Sequence, residues 1–361
     1  MKEADYLIVG AGPAGSYLAE KLALKGFKVI LADKKKTVGK PVQCTGLITE
    51  ELKKYVDISE GFVKNVTKKV EIYSKNESFA VNSKEYIIDR FEFDNYLLGK
   101  SEDAGAKILL GSEFLGEKNG KIIMSKESIT ARTIIGCDGP MSVVNKCFGL
   151  IKRMNYFLGK QYLIRMRSSP EAYKVYFDEK FRDFFAWIVP VSKTVSRVGI
   201  ASKDMPSVNE KLKYFMNSRK IKGKILETNA GLIPLFNPLN SNHVKRLGMN
   251  VYLFGDASGL VKASTGGGII PAFNSIDKSL PEIILGRTPK LLGIKKELIL
   301  HLIAHNIMGN FKDTDYDSLI TDAKDSRVKS VIEKISRDNF GLMALKLFLK
   351  KPGLVKYFKL Y

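Results

Sequence analysis

The chain has 361 residues, 45% of them hydrophobic and 27% charged, the composition of an ordinary globular protein rather than of a disordered or disulfide-stapled chain. That length exceeds the roughly 250–300 residues at which a single core stops growing, so two domains, or one with a large subdomain, are expected. Lysine and arginine total 59 against 38 acidic residues, a formal net charge of +21, which implies attraction to a polyanion, for which nucleic acid and an anionic membrane surface both qualify.

Cys44, Cys137 and Cys147 are widely spread and form no CxxC pair, which argues against a zinc site and a secreted disulfide framework and fits a reducing compartment. The first residues include Lys2, Glu3 and Asp5 ahead of a short apolar run, unlike the basic start and long apolar core of a signal peptide. No stretch reaches the roughly 20 uninterrupted apolar residues of a membrane span. A cytoplasmic location is therefore expected.

Residues 5–10, Asp-Tyr-Leu-Ile-Val-Gly, read as a short buried strand, and a GxGxxG turn follows at Gly10, Gly12 and Gly15, with Pro13 and Ala14 inside it. A helical pattern over 16–25 completes a strand, turn and helix of dinucleotide-binding type. Gly10 permits the tight turn, Gly12 lets the backbone approach a pyrophosphate, and Gly15 allows close helix–strand packing. The helix N-terminus then faces the phosphates with its unpaired N–H groups. Residues 26–33 form the expected second parallel strand, ending in Asp33 at the distance of a ribose 2′-hydroxyl ligand.

Farther along, residues 69–81 alternate about a polar turn as a hairpin does, and join 162–167, 173–177 and 196–201 in an expected antiparallel substrate sheet. An apolar run over 251–254 ends in Gly255-Asp256-Ala257, and residues 131–142 carry Asp138-Gly139 after another apolar run. From residue 291 onward the pattern is helical, without a second dinucleotide fingerprint. His301 and His305 have the spacing of a zinc motif whose glutamate is absent, so no metal is expected. Residues 340–361 mix bulky apolar residues with lysines, which suits a membrane interface or an amphipathic helix on the protein's own core.

The glycine turn, the Asp138-Gly139 motif and the Gly255-Asp256 motif, in that order, resemble the flavin fingerprints of the p-hydroxybenzoate hydroxylase-like group. Within that group the chain is similar to the geranylgeranyl reductase family, through residues 40–46 around Cys44, residues 86–94 around Arg90, and the Gly-rich turn at 265–270. Residues 185–190, Phe-Ala-Trp-Ile-Val-Pro, resemble that family's Tyr-x-Trp-x-Phe-Pro pocket motif, with Phe185 in place of the tyrosine and Val189 in place of the phenylalanine. The same stretch also resembles the Trp-x-Trp-x-Ile-Pro motif of flavin-dependent halogenases, and the motif alone does not choose between them.

The resemblance implies an α/β fold, in which a Rossmann-like FAD-binding domain with a parallel sheet is interleaved with an antiparallel-sheet substrate domain and followed by a helical C-terminal region. The flavin segments are expected at 1–66, 86–150 and 246–290, the substrate segments at 67–85 and 151–245, and the helical region at 291–361. It assigns FAD to Gly10, Gly12, Pro13, Ala14, Gly15, Asp33, Lys34, Cys44, Gly46, Arg90, Asp138, Gly139, Gly255, Asp256, Gly267, Gly268 and Ile269. Phe184, Phe185, Trp187 and Pro190 become candidates for an apolar substrate pocket.

The implied reaction is saturation of C=C bonds in geranylgeranyl chains of archaeal-type membrane-lipid precursors, by hydride transfer from reduced flavin N5 plus protonation. Cys44 is the candidate catalytic residue; a thiol is a weak acid toward an alkene, so it can instead position substrate or relay a proton from water. The expected partners are an isoprenoid lipid, an external electron donor and an anionic membrane surface, which places the chain peripherally at the inner face of the cell membrane. The alternatives are a flavin-dependent monooxygenase, epoxidase or halogenase, or an FAD-containing tRNA-modifying protein. No RNA-binding module accompanies the basic charge, so nucleic acid is not an expected partner.

Overall fold

The computed structural model describes residues 2–59 and 61–360. The chain divides into two compact units, each built from three segments: Met1–Val42, Arg90–Asn155 and Pro234–Leu298 form the first, and Gln43–Asp89, Tyr156–Ile233 and Ile299–Tyr361 the second.

The first unit is organised by a sheet of eight strands among the described residues. Its main path runs His243–Arg246, Met249–Leu253, Ser128–Gly136, Lys2–Val9, Val29–Asp33 and Lys107–Leu110. The last five are mutually parallel, and the hairpin Phe114–Lys118 with Lys121–Met124 joins through Ser128–Gly136. Such strands are covered on both faces and so read as continuous apolar runs rather than alternating ones. Leu7, Ile30, Ile134, Val251 and Leu253 accordingly share one core with Phe114, Ile122 and Phe148. Helix Pro13–Ala23 connects the parallel pair Lys2–Val9 and Val29–Asp33, and its Tyr17 hydroxyl donates to Asp277 on helix Ile269–Ile284.

A second sheet of eight strands among the described residues forms the other unit, in the order Lys224–Leu235, Asn155–Arg165, Val195–Ser202, Ala186–Pro190, Ala172–Tyr176, Val63–Tyr73, Ser78–Ile88 and Leu47–Thr49. From Asn155–Arg165 onward in this order, neighbouring strands are antiparallel except Ala172–Tyr176 and Val63–Tyr73, which run parallel. Leu47–Thr49 and residues 63–66, expected with the first flavin segment, belong to this sheet, because Leu47–Thr49 and Val63–Tyr73 both pair with Ser78–Ile88. Conversely, residues 243–245, expected in the substrate domain, lie in strand His243–Arg246, which pairs with Met249–Leu253 of the first unit's sheet. Ile164, Ile188, Val198 and Ile200 pack on Leu212 and Phe215 of helix Val208–Ser218, which covers one face.

Helices Asp313–Ala323, Ser326–Lys334 and Phe340–Lys350 close the chain. No helix among the described residues is long and apolar enough to cross a membrane, and no cluster of metal-ligating side chains occurs among them. His301 stacks on Phe340 and His305 meets Phe157 edge-on.

Glu85, 2% exposed in its side chain, pairs with Arg337 and accepts a 2.9 Å hydrogen bond from the Tyr173 hydroxyl. Burial, with the neighbouring carboxylate, pushes that phenol above its usual range. Removing one partner of a buried pair leaves the other uncompensated, and Arg337 is 30% exposed, so Arg337→Ala should cost about 3 kcal/mol, the lower end for such losses. Urea unfolding of this variant, compared with Arg337→Lys, checks the value.

Candidate functional site

Three parallel strands of the first unit, Lys2–Val9, Ser128–Gly136 and Met249–Leu253, end side by side, with Val9 opposite Gly136 and Gly136 opposite Leu253. Crevices outside the carboxyl ends of such strands are where open α/β sheets bind ligands. The segments that follow them carry Gly10, Asp138-Gly139 and Gly255-Asp256, so motifs separated by more than a hundred residues are gathered at the carboxyl end of one sheet.

Local sterics explain the turn. Gly10 has φ +104°, and a Cβ there would lie 2.4 Å from the Cys137 carbonyl oxygen; one at Gly15 would lie 1.9 Å from the Gly10 carbonyl oxygen. Both positions admit only glycine for internal reasons. At Gly12 nothing lies within 4 Å of the corresponding point, and the backbone is ordinary extended chain, φ −73° and ψ −177°. A glycine that the fold itself does not demand is what close approach of a ligand requires. Pro13 begins the helix, whose first turn has no acidic residue, so the positive end of its dipole is left for an anion.

Asp33 closes the same turn. Its Oδ2 accepts from the Ala11 N–H and its Oδ1 from the Lys35 N–H, both at 2.8 Å. Two backbone donors fix the carboxylate and leave acceptor capacity for a ribose hydroxyl. Lys34, beside it, is exposed.

Asp256 lies in the tight turn Gly255–Ser258, half-buried, with its Oδ1 2.8 Å from the point a Gly268 Cβ would occupy. Among the described residues no protein group donates a hydrogen bond to its carboxylate. Burial pushes this carboxyl up to about 6, opposed by the Arg90 guanidinium. Arg90 itself is clamped to Asp94 at 2.8 and 2.9 Å. Gly267, Gly268 and Ile269 lead into helix Ile269–Ile284, which also begins on a glycine with no acid in its first turn.

Because the folded carboxyl is raised above its ordinary 3.8, ionising it destabilises the apoprotein as pH rises from that value to about 6. A hydroxyl donor, conversely, favours the ionised form. FAD affinity should therefore rise with pH through a midpoint near 6, and Asp256→Asn should abolish that step. Flavin fluorescence titrations across this range provide the check.

Asp138 is occupied differently. It accepts from the Ser142 hydroxyl at 2.6 Å and from the Val143 and Val144 N–H groups at 2.7 and 3.2 Å, organising the start of helix Val143–Phe148. Its carboxylate is engaged in building the loop, while Gly139, φ +81°, has open space about it.

The second unit gathers the candidate substrate residues. Side chains alternate along a strand, so Ala186 and Ile188, in the core beneath helix Val208–Ser218, place Trp187 on the opposite sheet face. The same alternation puts Pro190 with Ala186 and Ile188, on the face away from Trp187, where its carbonyl accepts from Asn65 at 2.9 Å. Phe184 stacks on Phe185 with centroids 4.4 Å apart, and Phe185 meets Trp187 edge-on at 6.0 Å.

Over Trp187's face runs the Cys44 loop, held by residues that sequence reasoning did not single out. Gln161 Nε2 donates to the Cys44 carbonyl at 3.1 Å, and its Oε1 accepts from the Thr45 hydroxyl at 3.2 Å and the Trp187 indole at 3.4 Å. Arg197 donates to the Thr45 carbonyl. A Cβ at Gly199 would collide with the Trp187 ring at 2.5 Å, so this glycine makes room for the indole. Gly46, φ +71°, turns the loop away while its N–H donates to Cys44 Sγ at 3.3 Å. No local signal marks positions 161, 197 and 199, since Gly159, Lys160 and Ser196 in the same strands are also polar or minimal.

The donor set of the first unit fits FAD: a cleared backbone approach at Gly12, two acid-free helix starts and an unpartnered half-buried acid at Asp256. The FAD binding domain family matches residues 3–156. A digeranylgeranylglycerophospholipid reductase of Methanosarcina acetivorans is 28% identical, covering 91% of this chain and 90% of the relative. A second, from Methanosphaera stadtmanae, is 30% identical over 76% of each. A solved geranylgeranyl bacteriochlorophyll reductase-like protein from Thermoplasma acidophilum shares the fold over the full length of both chains, with TM-score 0.83 at 22% identity. With its flavin fingerprints and full-length fold in agreement, the chain belongs to the digeranylgeranylglycerophospholipid reductase family of FAD-dependent oxidoreductases.

Proposed function

We propose that this chain saturates the C=C bonds of geranylgeranyl chains in isoprenoid membrane-lipid precursors of archaeal type, peripherally at the inner face of the cell membrane and with electrons from an external donor. The observation that carries the reading is kinship with lipid reductases along nearly the whole chain. The +21 charge supports a place at anionic headgroups.

An isolated trisubstituted alkene is not electrophilic, so its saturation needs a proton at one carbon and a hydride at the other, positive charge developing at the more substituted carbon. Reduced FAD, when bound, supplies the hydride. Gly10 to Gly15 and Asp33 hold the ADP half of the cofactor, and Asp256 accepts from a ribityl hydroxyl. Trp187, Phe184 and Phe185 form an apolar wall that excludes water from the chain being reduced. Phe185, lacking a hydroxyl, keeps that wall free of a polar group. Cys44 Sγ holds or relays the proton, with Gln161 fixing the loop that carries it.

The reading is tested by mass spectrometry of digeranylgeranylglyceryl phospholipid after anaerobic incubation with the protein, FAD and dithionite. Stepwise gains of one H2 per double bond are expected. An unchanged lipid, with flavin shown to be bound and reduced, would refute it and direct attention to oxygen-dependent chemistry.

A further inference from the structure

Helix Phe340–Lys350 contradicts the usual rule that a surface helix turns its apolar stripe inward. Leu347 and Phe348 pack on the terminal core with Phe311, Tyr316 and Tyr357, yet Leu342, Leu345 and Leu349 are 48%, 58% and 72% exposed. These three lie at i, i+3 and i+7, one outward stripe. Lys346 and Lys350 stand in the same stripe, and neither has a carboxylate partner among the described residues. In the following turn, Pro352–Leu360, Val355 and Phe358 are also exposed while Leu354 and Tyr357 anchor it inward. Lys351 and Lys356 fasten the segment to Asp322 at 2.7 and 2.8 Å.

We propose that this outward stripe, Leu342, Leu345 and Leu349 with Lys346, Lys350 and the Val355–Phe358 turn, is a docking surface that seats on an anionic lipid bilayer. The inference rests on the lipid-reductase reading and specifies which part of the chain meets the membrane. Leucines enter the acyl boundary while lysine stems run along apolar surface and carry their ammonium groups to the phosphates. The complementarity is one of charge as well as polarity, since the chain carries +21. A second copy of the chain fits the stripe poorly, because a self-complementary contact would gather the lysines of both copies in one patch that holds no carboxylate. Docking here would hold the enzyme where its lipid substrate resides.

The test is co-sedimentation of the full-length FAD-loaded protein with vesicles of phosphatidylcholine, alone or with added phosphatidylglycerol. Leu345→Glu/Leu349→Glu should weaken binding to the mixed vesicles at least about tenfold. Lys346→Glu/Lys350→Glu should weaken it at least about thirtyfold on the mixed vesicles and leave the neutral ones unaffected. Leu349→Ser, at the most exposed position, gives a milder version; unchanged melting and FAD absorbance identify folded variants. If wild type binds and every variant binds equally, this face is wrong while peripheral attachment stands. If wild type ignores both vesicles yet reduces detergent-dispersed prenyl lipid, the docking surface is overturned and the reductase function stands. A wild-type dimer that Leu345→Glu/Leu349→Glu renders monomeric, with vesicle binding unaltered, would make the stripe a contact between copies and overturn the proposal.

Discussion

Gly12→Val protein should purify without FAD, while its apoprotein melts within a few degrees of the wild-type apoprotein, the small loss reflecting valine at the N-cap of helix Pro13–Ala23. The expectation follows from a difference among the three glycines of one turn. A side chain at Gly10 or Gly15 strikes backbone oxygen, at 2.4 and 1.9 Å respectively, so substitution there damages the fold and the cofactor site together. At Gly12 the backbone is extended and its surroundings are empty, and an extended conformation is also what the following Pro13 prefers. Valine is therefore tolerated by the apoprotein and resisted only by whatever approaches the turn. A loss of flavin affinity of roughly a hundredfold, equivalent to about 2.7 kcal/mol, is expected. Isothermal titration with FAD, beside thermal melting of both apoproteins, separates the effects. A variant that binds FAD normally would show that the pyrophosphate does not pass Gly12.

Cys44→Ala should retain FAD and bind lipid but lose roughly a hundredfold in kcat, the lower range for removal of a positioned proton donor. Cys44→Ser, which keeps a proton-relaying group, should recover part of that loss. Gln161→Leu tests how the thiol is held. It removes the donor to the Cys44 carbonyl and the acceptor for Thr45 and Trp187, and should cost about tenfold in kcat, or roughly 1.4 kcal/mol. Trp187 is the single tryptophan of the chain, so its emission reports this loop directly. A shift in that emission should accompany the loss of activity in Gln161→Leu, with FAD content unchanged. Equal kcat for Cys44→Ala and wild type would remove the cysteine from the mechanism and leave Trp187 and its neighbours as an apolar wall only.

These expectations differ in how they could be reached. The strand, glycine turn, helix and Asp33 occupy consecutive residues, and their geometry follows from local rules: fixed backbone reach, the steric freedom of glycine and the dipole of the helix that follows. The Gly255-Asp256 motif was equally legible, because an apolar strand running into a glycine turn is again a local pattern. Asp138 was visible as a motif, but its carboxylate is engaged by Ser142 and two backbone N–H groups, whereas that of Asp256 has no protein donor among the described residues. Nothing in the identity of two acids after two similar strands foretells that difference.

A parallel-sheet flavin domain, further strands that alternate as an antiparallel sheet does, and an apolar aromatic segment at 184–190 are all written in local residue patterns. Which side chains meet across those strands follows from how the strands are ordered in the sheet. Gln161, Arg197 and Gly199 are unremarkable in their own segments and acquire their roles because Asn155–Arg165, Ala186–Pro190 and Val195–Ser202 lie side by side. Pro190 is separated from Trp187 by strand alternation, and Leu47–Thr49 and residues 63–66 join the antiparallel sheet because their hydrogen-bonding partner lies there. The same limit governs the last helix. Periodicity identifies its leucine stripe, but whether a stripe faces a core or open solvent depends on what packs beside it, and that is decided by contacts between residues far apart in the chain.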